Sequence, residues 1–263
     1  MFKLTSLNLN GIRSAHSKGL EAWIAKASPD CICVQEVRAQ AAEVQGRFEE
    51  LAGLRGHFHF AQKKGYSGVG VYSKHAPSDV IVGYGSTEFD AEGRYLEVRF
   101  DTPRRKLSVI SCYFPSGSSG DHRQQAKFRF LQEFDPHLSG LKGRRDVVLC
   151  GDINIAHQQQ DLKNWRSNQK NSGFLPQERA WMTKLLSETG LVDVYRHLKP
   201  ETTGDCYTWW SNRGQAYLKN VGWRLDYHLA SPFLAATART ATIYKEVKFS
   251  DHAPLTIDYD FKL

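Results

Sequence analysis

An acid and an amide directly follow an apolar run near the middle of the chain. The apolar residues 147–150 lead into Asp152 and, two residues further on, Asn154. Asp and Asn favour turns because their side chains hydrogen-bond to nearby backbone groups, so a plain turn explains this stretch when it is taken alone. A chemical role is favoured only if other parts of the chain bring partners to Asp152.

Such partners stand at the ends of other strand-like runs. They are Asn8, Asn10, Glu36, Tyr113, Asp226, Asp251 and His252. Functional sites of α/β proteins form at strand ends, where loops converge. Asp226, Asp251 and His252 stand at the beginnings of their strands, whereas the other residues follow theirs. All of them can meet only if some strands run in the opposite direction, so a mixed or antiparallel sheet is predicted.

This combination of side chains suits metal-assisted hydrolysis of a phosphodiester. Mg²⁺ prefers oxygen ligands, takes one or two carboxylates and keeps several waters, and Glu36 with Asn8 offers such ligands. An Asp can activate water, and a His can donate to a phosphoryl oxygen. Each residue taken alone also fits a turn, a cap or a surface charge. The consecutive residues 250–252, Ser-Asp-His, do not predict a serine triad, because three neighbouring side chains rarely converge on one line.

Short apolar runs predict the strands that must position these groups. The predicted strands are 4–9, 31–35, 68–73, 80–84, 107–114, 146–150, 225–230 and 254–259. Many of them are apolar without alternation, which is typical of strands buried on both faces. They alternate with helical patterns, which predicts layered α/β architecture with helices packed outside sheets. No linker or repeat divides the chain, so residues 1–263 are predicted to form a single domain.

Helix signals lie between these strands. The first helix has Ser17 as its expected N-cap and apolar residues at i, i+3, i+4 and i+7. Asp121 and Gln124 resemble a capping box at the start of a second helix. Pro176 suits the first turn of a third helix, and Gly190 suits its C-terminal stop.

Composition favours a globular protein with a polyanionic partner. The 263 residues are 41% hydrophobic and 24% charged, and the net charge of +7 suits nucleic acid. No run reaches the length of a membrane helix, and the N-terminus lacks the pattern of a secretory signal. We therefore expect a cytoplasmic protein without membrane association. The five cysteines, mostly in apolar surroundings, are expected to be reduced and buried.

Nine stretches together match one family pattern in order along nearly the whole chain. They are "LNLNGIRS", "CVQEVRA", "GYSGVGVYSK", "EGRYLEVRF", "SCYFPSGSS", "GDINIAHQQQDLKNW", "NQKNSGFLPQER", "YTWWSNRGQAYLKNVGWRLDY" and "FSDHAPL". The chain resembles the exonuclease III / apurinic-apyrimidinic (AP) endonuclease family, within the endonuclease/exonuclease/phosphatase superfamily. The resemblance implies a four-layer α/β sandwich like that of deoxyribonuclease I, with two packed mixed sheets flanked by helices.

The resemblance also implies roles at the strand ends. The implied metal ligands, for Mg²⁺ with Mn²⁺ as a substitute, are Glu36, Asn8, Asn10, Asp251, Asp152 and Asn154. The implied catalytic residues are Asp152, Asn154, Tyr113, His252 and Asp226. Asp152 would position or activate water, and Tyr113 would bind the phosphate. His252, held by Asp226, would stabilise the pentacovalent oxyanion. The identity of the base and the number of metals stay open.

Contacts with DNA follow from the same resemblance. The cations and amides suited to phosphate oxygens are Lys163, Arg166, Lys170, Asn168 and Asn171. Without the family pattern, the loop that carries them fits an ordinary solvated basic loop equally well. Trp209, Trp223 and Leu225 match positions that line the pocket for an extrahelical abasic deoxyribose, although tryptophans are more often core residues. Arg213 is a candidate to enter the minor groove.

The implied function is Mg²⁺-dependent DNA repair. The protein would cut double-stranded DNA 5′ to abasic sites, trim blocked 3′ ends, and act as a monomer in base excision repair. A non-catalytic regulator that binds RNA or other nucleic acid on the same fold is the alternative, but the "GDxN" motif is intact here. Phosphoinositide and sphingolipid phosphoesterases share the fold but are not expected to carry the DNA-contact motifs. A plain binding module would leave the polar strand ends unexplained.

Overall fold

Two mixed β-sheets form the centre of the computed structural model, which describes residues 1–103, 105–141 and 143–263. In chain order the strands are β1 (Phe2–Asn8), β2 (Cys31–Gln35), β3 (Glu50–Leu51), β4 (Leu54–His59), β5 (Val69–Ser73), β6 (Asp79–Val82), β7 (Tyr95–Thr102), β8 (Arg105–Tyr113), β9 (Asp146–Asp152), β10 (Val192–Asp193), β11 (Trp209–Trp210), β12 (Gly222–Trp223), β13 (Asp226–Ala230), β14 (Ala238–Ile243) and β15 (Leu255–Tyr259). The helices are α1 (Ile12–Ser17), α2 (Leu20–Ala27), α3 (Ala41–Val44), α4 (Thr87–Asp90), α5 (Asp121–Leu141), α6 (Trp165–Asn168), α7 (Pro176–Thr189), α8 (Val194–Leu198) and α9 (Pro232–Ala236), with a 3₁₀ turn over Gln159–Asp161.

The strand order brings several strand ends to one edge of the structure. The first sheet has the order β14-β15-β1-β2-β5-β4-β3, and the second has β10-β13-β9-β8-β7-β6. In the first sheet β1 is parallel to β2 and antiparallel to β15. In the second sheet β9 is parallel to β8 and antiparallel to β13. The ends of β1, β2, β8 and β9 therefore lie beside the beginnings of β13 and β15, in the mixed arrangement that was predicted.

Three apolar layers hold the sheets and helices together. The inner layer lies between the two sheets and includes Leu4 and Val109. Ile24 of α2 packs on the outer face of the first sheet. Phe134 of α5 and Leu185 of α7 cover the second sheet. Strands β2, β5 and β13 are buried at every position because both of their faces are covered. This arrangement confirms the predicted four-layer sandwich.

Continuous apolar runs predict their strands to within two residues at either end. The sequence does not predict β4, β7 or β14, because polar residues interrupt their apolar pattern. In β7 the buried carboxylate of Glu97 accepts hydrogen bonds from Arg99 and Ser108, both at 2.6 Å. Strand β14 is an edge strand whose residues are small or exposed, so its pairing with β15 defines it.

The predicted start of the first helix is wrong, whereas both ends of α7 are confirmed. Ser17 is the last residue of α1, and its hydroxyl donates to the carbonyl of Ser14. Helix α2 instead follows Gly19, whose φ is 99°. Glycine adopts this backbone angle readily, whereas other residues are strained there. Pro176 is the first residue of α7, and Gly190 ends it in the left-handed conformation.

The predicted capping box at the start of α5 is also wrong. Asp121 is the first residue of the helix rather than its N-cap. The Oε1 atom of Gln124, which a capping box needs as an acceptor, has no hydrogen-bond partner among the described residues, and Nε2 donates to Glu178 at 3.1 Å. A contact between residues 54 positions apart therefore replaces the expected local one.

The five cysteines are buried and free, which confirms their prediction as reduced thiols. They pack as small apolar side chains, four of them within β2, β8 and β9. In the described ranges 1–103, 105–141 and 143–263, no helix combines the length and apolar character that crossing a membrane requires.

A buried ion network holds the loops that follow β9 and β12. Arg224 has no solvent exposure and donates to both Asp161 and Asp193, at distances of 2.8 to 3.1 Å. Arg196 also donates to Asp161. Because Arg224 lies between Trp223 and Leu225, the network sets the position of both neighbours.

Replacing Asp161 with Asn is expected to lower the free energy of unfolding at pH 7 by about 3–5 kcal/mol, because buried guanidinium charges lose their carboxylate. Burial raises the pKa of Asp161, but Arg224 and Arg196 outweigh burial and lower the pKa from 3.8 to about 2. The stabilisation is therefore complete above about pH 4 and is lost as the pH falls through 2.

Urea unfolding at pH 7, and at steps down to pH 3, measures the difference in the free energy of unfolding between wild type and Asp161→Asn. This difference should shrink below pH 4. Asp260→Asn is the matched control, because Asp260 pairs with Arg239 on the surface. It should leave the free energy of unfolding nearly unchanged. A constant difference between wild type and Asp161→Asn across this pH range would contradict the expected charge effect.

Candidate active site

Residues from six strand ends surround one cavity of about 380 Å³. The predicted strand-end residues that line it are Asn10, Glu36, Tyr113, Asp152, Asn154, Asp251 and His252. Asn8 and Asp226 lie behind these residues and have no solvent exposure. The two sheets therefore bring together the strand-end residues that the sequence singled out.

The same local turn follows β1 and β9. The N–H of Asn10 donates to Oδ1 of Asn8, and the N–H of Asn154 donates to Oδ1 of Asp152, both at 2.9 Å. Asn10 and Asn154 have left-handed backbones with φ of 46° and 54°, a conformation that Asn tolerates well. The turn chemistry expected from the sequence is therefore present, and it helps to build the cavity wall.

His252 and Asp226 form a buried pair. Nδ1 of His252 lies 2.8 Å from Oδ2 of Asp226. Burial lowers the pKa of His252, but the carboxylates of Asp226 and Asp152 outweigh burial and raise the pKa to about 10. The imidazole is therefore charged at neutral pH, and its Nε2 lies 3.7 Å from Oδ2 of Asp152. This N–H group is available to a negatively charged ligand.

Asp152 sits at the centre of the hydrogen bonds in the site. Its Oδ2 accepts from Nδ2 of Asn8 at 3.0 Å and from Nδ2 of Asn154 at 3.2 Å. Burial, together with the carboxylates of Asp226 and Glu36, outweighs the lowering effect of His252 and raises the pKa of Asp152 to about 7. A carboxylate with a pKa near neutrality is suited to accept a proton at physiological pH.

Two further carboxylates face the cavity. Glu36 accepts from Asn8 at 2.9 Å and from Nε of Arg38 at 2.8 Å. Asp251 accepts from Nδ2 of Asn10 at 2.8 Å and from the indole N–H of Trp209 at 3.2 Å. These oxygen donors are the chemistry that a hard divalent cation requires.

Ligand atoms of Asp152, Asp226 and His252 also lie within 4.8 Å of one another. This cluster is poorly suited to a metal, because His252 and Asp226 bond to each other. A protonated imidazole has no free lone pair for a cation. Glu36 and Asp251 are therefore the better-placed carboxylates for a metal in this cavity.

An apolar wall adjoins these polar groups. Trp209 and Trp223 pair across β11 and β12, with ring centroids 6.4 Å apart in an edge-to-face arrangement. Leu225 is 7% exposed and packs in one cluster with Phe174. Trp209, Trp223 and Leu225 all line the cavity. The fold therefore joins an apolar pocket to the carboxylates.

The residues predicted to contact DNA divide into two groups. Asn168 and Asn171 line the cavity, and Nδ2 of Asn171 donates to Oδ1 of Asn168 at 2.7 Å. The basic residues lie on the exposed surface outside the lining, and they are Lys163, Arg166, Lys170 and Arg213. The structure thus brings the two amides next to the strand-end groups and places the four cations on the exposed surface around them.

Some lining residues were not predicted from the sequence. Ser116, Ser118, Ser119 and Arg38 also face the cavity. The serines belong to a Gly/Ser-rich stretch that looks like an ordinary loop. The position of this stretch directly after the end of β8 could have indicated that its serines line the cavity, because hydroxyl groups at a strand end can contact a ligand.

The chain matches the model of the endonuclease/exonuclease/phosphatase family over residues 5–252. It is 37% identical over 256 residues to an exodeoxyribonuclease of Bacillus subtilis, and the alignment covers 97% of this chain and 98% of the relative. It is 37% identical over 262 residues to the DNA repair nuclease APEX1 of Danio rerio, and the alignment covers 97% of this chain and 81% of the relative. The structure is similar to the solved structure of an AP endonuclease from Archaeoglobus fulgidus, with a TM-score of 0.89 and 28% sequence identity. The superposition covers 99% of this chain and 100% of that chain.

The protein belongs to the endonuclease/exonuclease/phosphatase family. This membership confirms the family predicted from the ordered motifs, and with it the predicted enzyme class, a phosphodiester hydrolase. The shared fold agrees with the four-layer sandwich described above.

Replacing Asp226 with Asn is expected to lower the pKa of His252 from about 10, because burial remains while a neighbouring negative charge is removed. The charged imidazole stabilises the wild-type fold fully below about pH 6.5, and this contribution is lost as the pH rises through 10. NMR titration of the imidazole in metal-free protein, with the signal assigned by comparison with His252→Gln, measures the change. An unaltered pKa in Asp226→Asn would mean that Asp226 does not set the charge of His252.

Proposed function

We propose that the protein is a DNA repair phosphodiesterase of base excision repair. It cuts the backbone 5′ to abasic sites, removes blocking groups from 3′ ends and degrades DNA from the 3′ end. The observation that carries this proposal is that Asp152 and His252 share one cavity with the apolar wall of Trp209 and Trp223. Relatives described as an exodeoxyribonuclease, a DNA repair nuclease and an AP endonuclease support it.

Asp152 is the proposed group that positions the attacking water and takes its proton. Burial and the neighbouring carboxylates raise its pKa above the ordinary value of an Asp side chain, which makes Asp152 a stronger base toward water. Asn154 orients it through a backbone N–H at 2.9 Å and a side-chain N–H at 3.2 Å. Asn154 is therefore proposed to act mainly by holding Asp152 and the water near the phosphate.

His252 and Tyr113 are the proposed donors to the phosphoryl group. The imidazolium of His252 is held by Asp226 at Nδ1 and offers Nε2–H to an oxygen on which negative charge develops. Burial raises the pKa of Tyr113 well above its ordinary value, and the carboxylate of Glu36 raises it further. The phenol therefore keeps its proton and donates a hydrogen bond.

Mg²⁺, with Mn²⁺ as a substitute, is the proposed cofactor. The donor set fits, because Glu36, Asp251 and Asn10 offer oxygen atoms at the cavity wall and the thiols lie in the core. Bound there, the ion would supply Lewis-acid polarisation of the phosphoryl group. Glu36 is the proposed principal ligand. Asn8 supports it by donating to its carboxylate, since the amide oxygen of Asn8 already accepts from Asn10.

The apolar wall is proposed to select an abasic deoxyribose. A sugar without a base can fill a cavity of about 380 Å³ beside Trp209, Trp223 and Leu225. A normal nucleotide would have to leave the base stack at an energetic cost and bring its base into the same space. The lesion is therefore favoured both by size and by the lower cost of flipping.

The exposed cations are proposed to bind the DNA backbone. Lys163, Arg166 and Lys170 are exposed, so their charges can reach phosphates of a bound duplex. Arg213 is kept as a candidate for the minor groove. A monomeric state and a cytoplasmic location also stay predictions.

An end-labelled duplex with one abasic-site analogue tests the function. With Mg²⁺ we expect one nick 5′ to the lesion, none on an undamaged duplex at the same enzyme concentration, and none with EDTA. Asp152→Asn should lower the rate by about 10²–10⁴-fold while DNA binding persists, because proton transfer by a positioned side chain contributes that much.

Other outcomes of this experiment are informative. A ladder from the 3′ end would make exonuclease activity dominant over abasic cleavage. Binding without cleavage of either duplex would favour the non-catalytic regulator. Wild-type turnover by Asp152→Asn would remove this residue from the chemistry.

Glu36→Gln is expected to raise the Mg²⁺ concentration needed for half-maximal cleavage by at least about tenfold, because a charged ligand is lost. The measurement is a Mg²⁺ titration of the initial cleavage rate. Glu43→Gln is the control, because Glu43 pairs with Arg13 on the surface outside the cavity. Coincident titrations of wild type and Glu36→Gln would exclude Glu36 as a ligand.

A further inference from the structure

A lysine and a glutamate without solvent exposure face each other between α5 and α7. Nζ of Lys127 lies 2.7 Å from Oε1 of Glu178, and both side chains are 0% exposed. Neither residue belongs to the reactive groups described above. Burying two charges is costly, and apolar residues of similar volume often stabilise a protein as well or better. The pair therefore calls for an explanation beyond stability.

Lys127 binds the backbone of the loop that follows β9. Its Nζ donates to the carbonyl oxygen of Asn154 at 2.8 Å. Asn154 is held in a left-handed conformation and bonds to both carboxylate oxygens of Asp152. The ammonium group therefore fixes the peptide that sets the orientation of Asp152.

Glu178 binds the loop that carries the two cavity-lining amides. Its Oε2 accepts from the N–H groups of Gly173 at 2.7 Å and Leu175 at 3.0 Å. The same loop is closed upstream, where the N–H of Asn171 donates to the carbonyl of Asn168 at 2.9 Å. The carboxylate therefore fixes the end of the loop from which Asn168 and Asn171 reach the cavity.

The two loops touch each other at Gly173. Its carbonyl accepts from the N–H of Ala156 at 2.8 Å, and its φ is +91°. A Cβ atom there would lie 3.1 Å from the carbonyl oxygen of Asn154 and 3.3 Å from the ring of Trp223. The loops run so close together that a shift of one has to displace the other.

We propose that Lys127 and Glu178 are positioning residues that lock the Asn168–Asn171 loop to Asn154. A DNA phosphate held by Asn168 and Asn171 is thereby placed at a fixed distance from Asp152. This inference rests on the proposed function. Loss of the lock should impair the chemical step much more than substrate binding, because small errors in the position of reacting groups cost rate.

The test compares wild type with Lys127→Met, with Glu178→Gln and with the double variant Lys127→Met/Glu178→Gln. Glu178→Gln keeps an oxygen that can accept from Gly173 and Leu175. The matched control is Arg129→Met/Glu88→Gln, which removes an exposed ion pair between α5 and α4. The measurements are kcat and KM on the abasic duplex, the Kd for that duplex in EDTA, and thermal unfolding.

Lys127→Met is expected to lower kcat by on the order of 10²-fold, with KM and Kd changed by less than about threefold. The double variant should be more stable than Lys127→Met, because no unpaired charge stays buried, and should still show the low kcat. If Lys127→Met does not fold, Glu178→Gln and the double variant carry the test through the same fall in kcat. The control should match wild type.

Recovery of both stability and kcat in the double variant would overturn the proposal, because the pair would then serve folding alone. A kcat equal to that of wild type in Lys127→Met would overturn the proposal as well. If Lys127→Met does not fold, the same result in Glu178→Gln would overturn it. A wild-type enzyme that does not cut the abasic duplex would instead refute the proposed function. The wild-type arm therefore separates the two failures.

Discussion

One buried amide group joins the two β-sheets where the carboxylates meet. Nδ2 of Asn8 donates to Glu36 at 2.9 Å and to Asp152 at 3.0 Å. Two carboxylates brought together without such a donor would repel each other, and one of them would take up a proton. Asn8 belongs to the first sheet and Asp152 to the second, so this amide also links the two sheets at the edge that holds the cavity. The rest of the site is arranged around this link.

The frame of the fold was predictable because burial on both faces leaves a direct signal in the sequence. Strand β2, with the sequence CICVQ, is buried throughout, and its bounds match the predicted 31–35. Strands β4, β7 and β14 carry polar residues whose partners come from other strands, and no local pattern reveals these partners. The capping box predicted for α5 failed for the same reason, since Gln124 bonds to Glu178 on another helix.

The strand-end residues were predictable as a set, but the contacts that hold them were not. An apolar run that ends in Asp, Asn or His is visible in the sequence, and the strand order brings these ends together. The carboxylate of Asp161 and the ammonium of Lys127 leave no such trace. Charged side chains are almost always exposed unless they are paired. A charged residue on an amphipathic helix or in a polar loop is therefore predicted to be exposed, and only the tertiary structure shows its buried partner.

The repeated turn after β1 and β9 gives the site an approximate two-fold symmetry that its chemistry breaks. Each sheet has a central pair of parallel strands flanked by antiparallel ones, and each ends its central strand with the same hydrogen-bonded turn. One copy carries an amide at the equivalent position, Asn8, and the other carries an acid, Asp152. Two acids at these positions would repel each other across the sheets, and two amides would remove the carboxylate of Asp152 from the cavity. This difference between matching positions polarises the scaffold at the cavity, with the donor amide of Asn8 on one side and the carboxylate of Asp152 on the other.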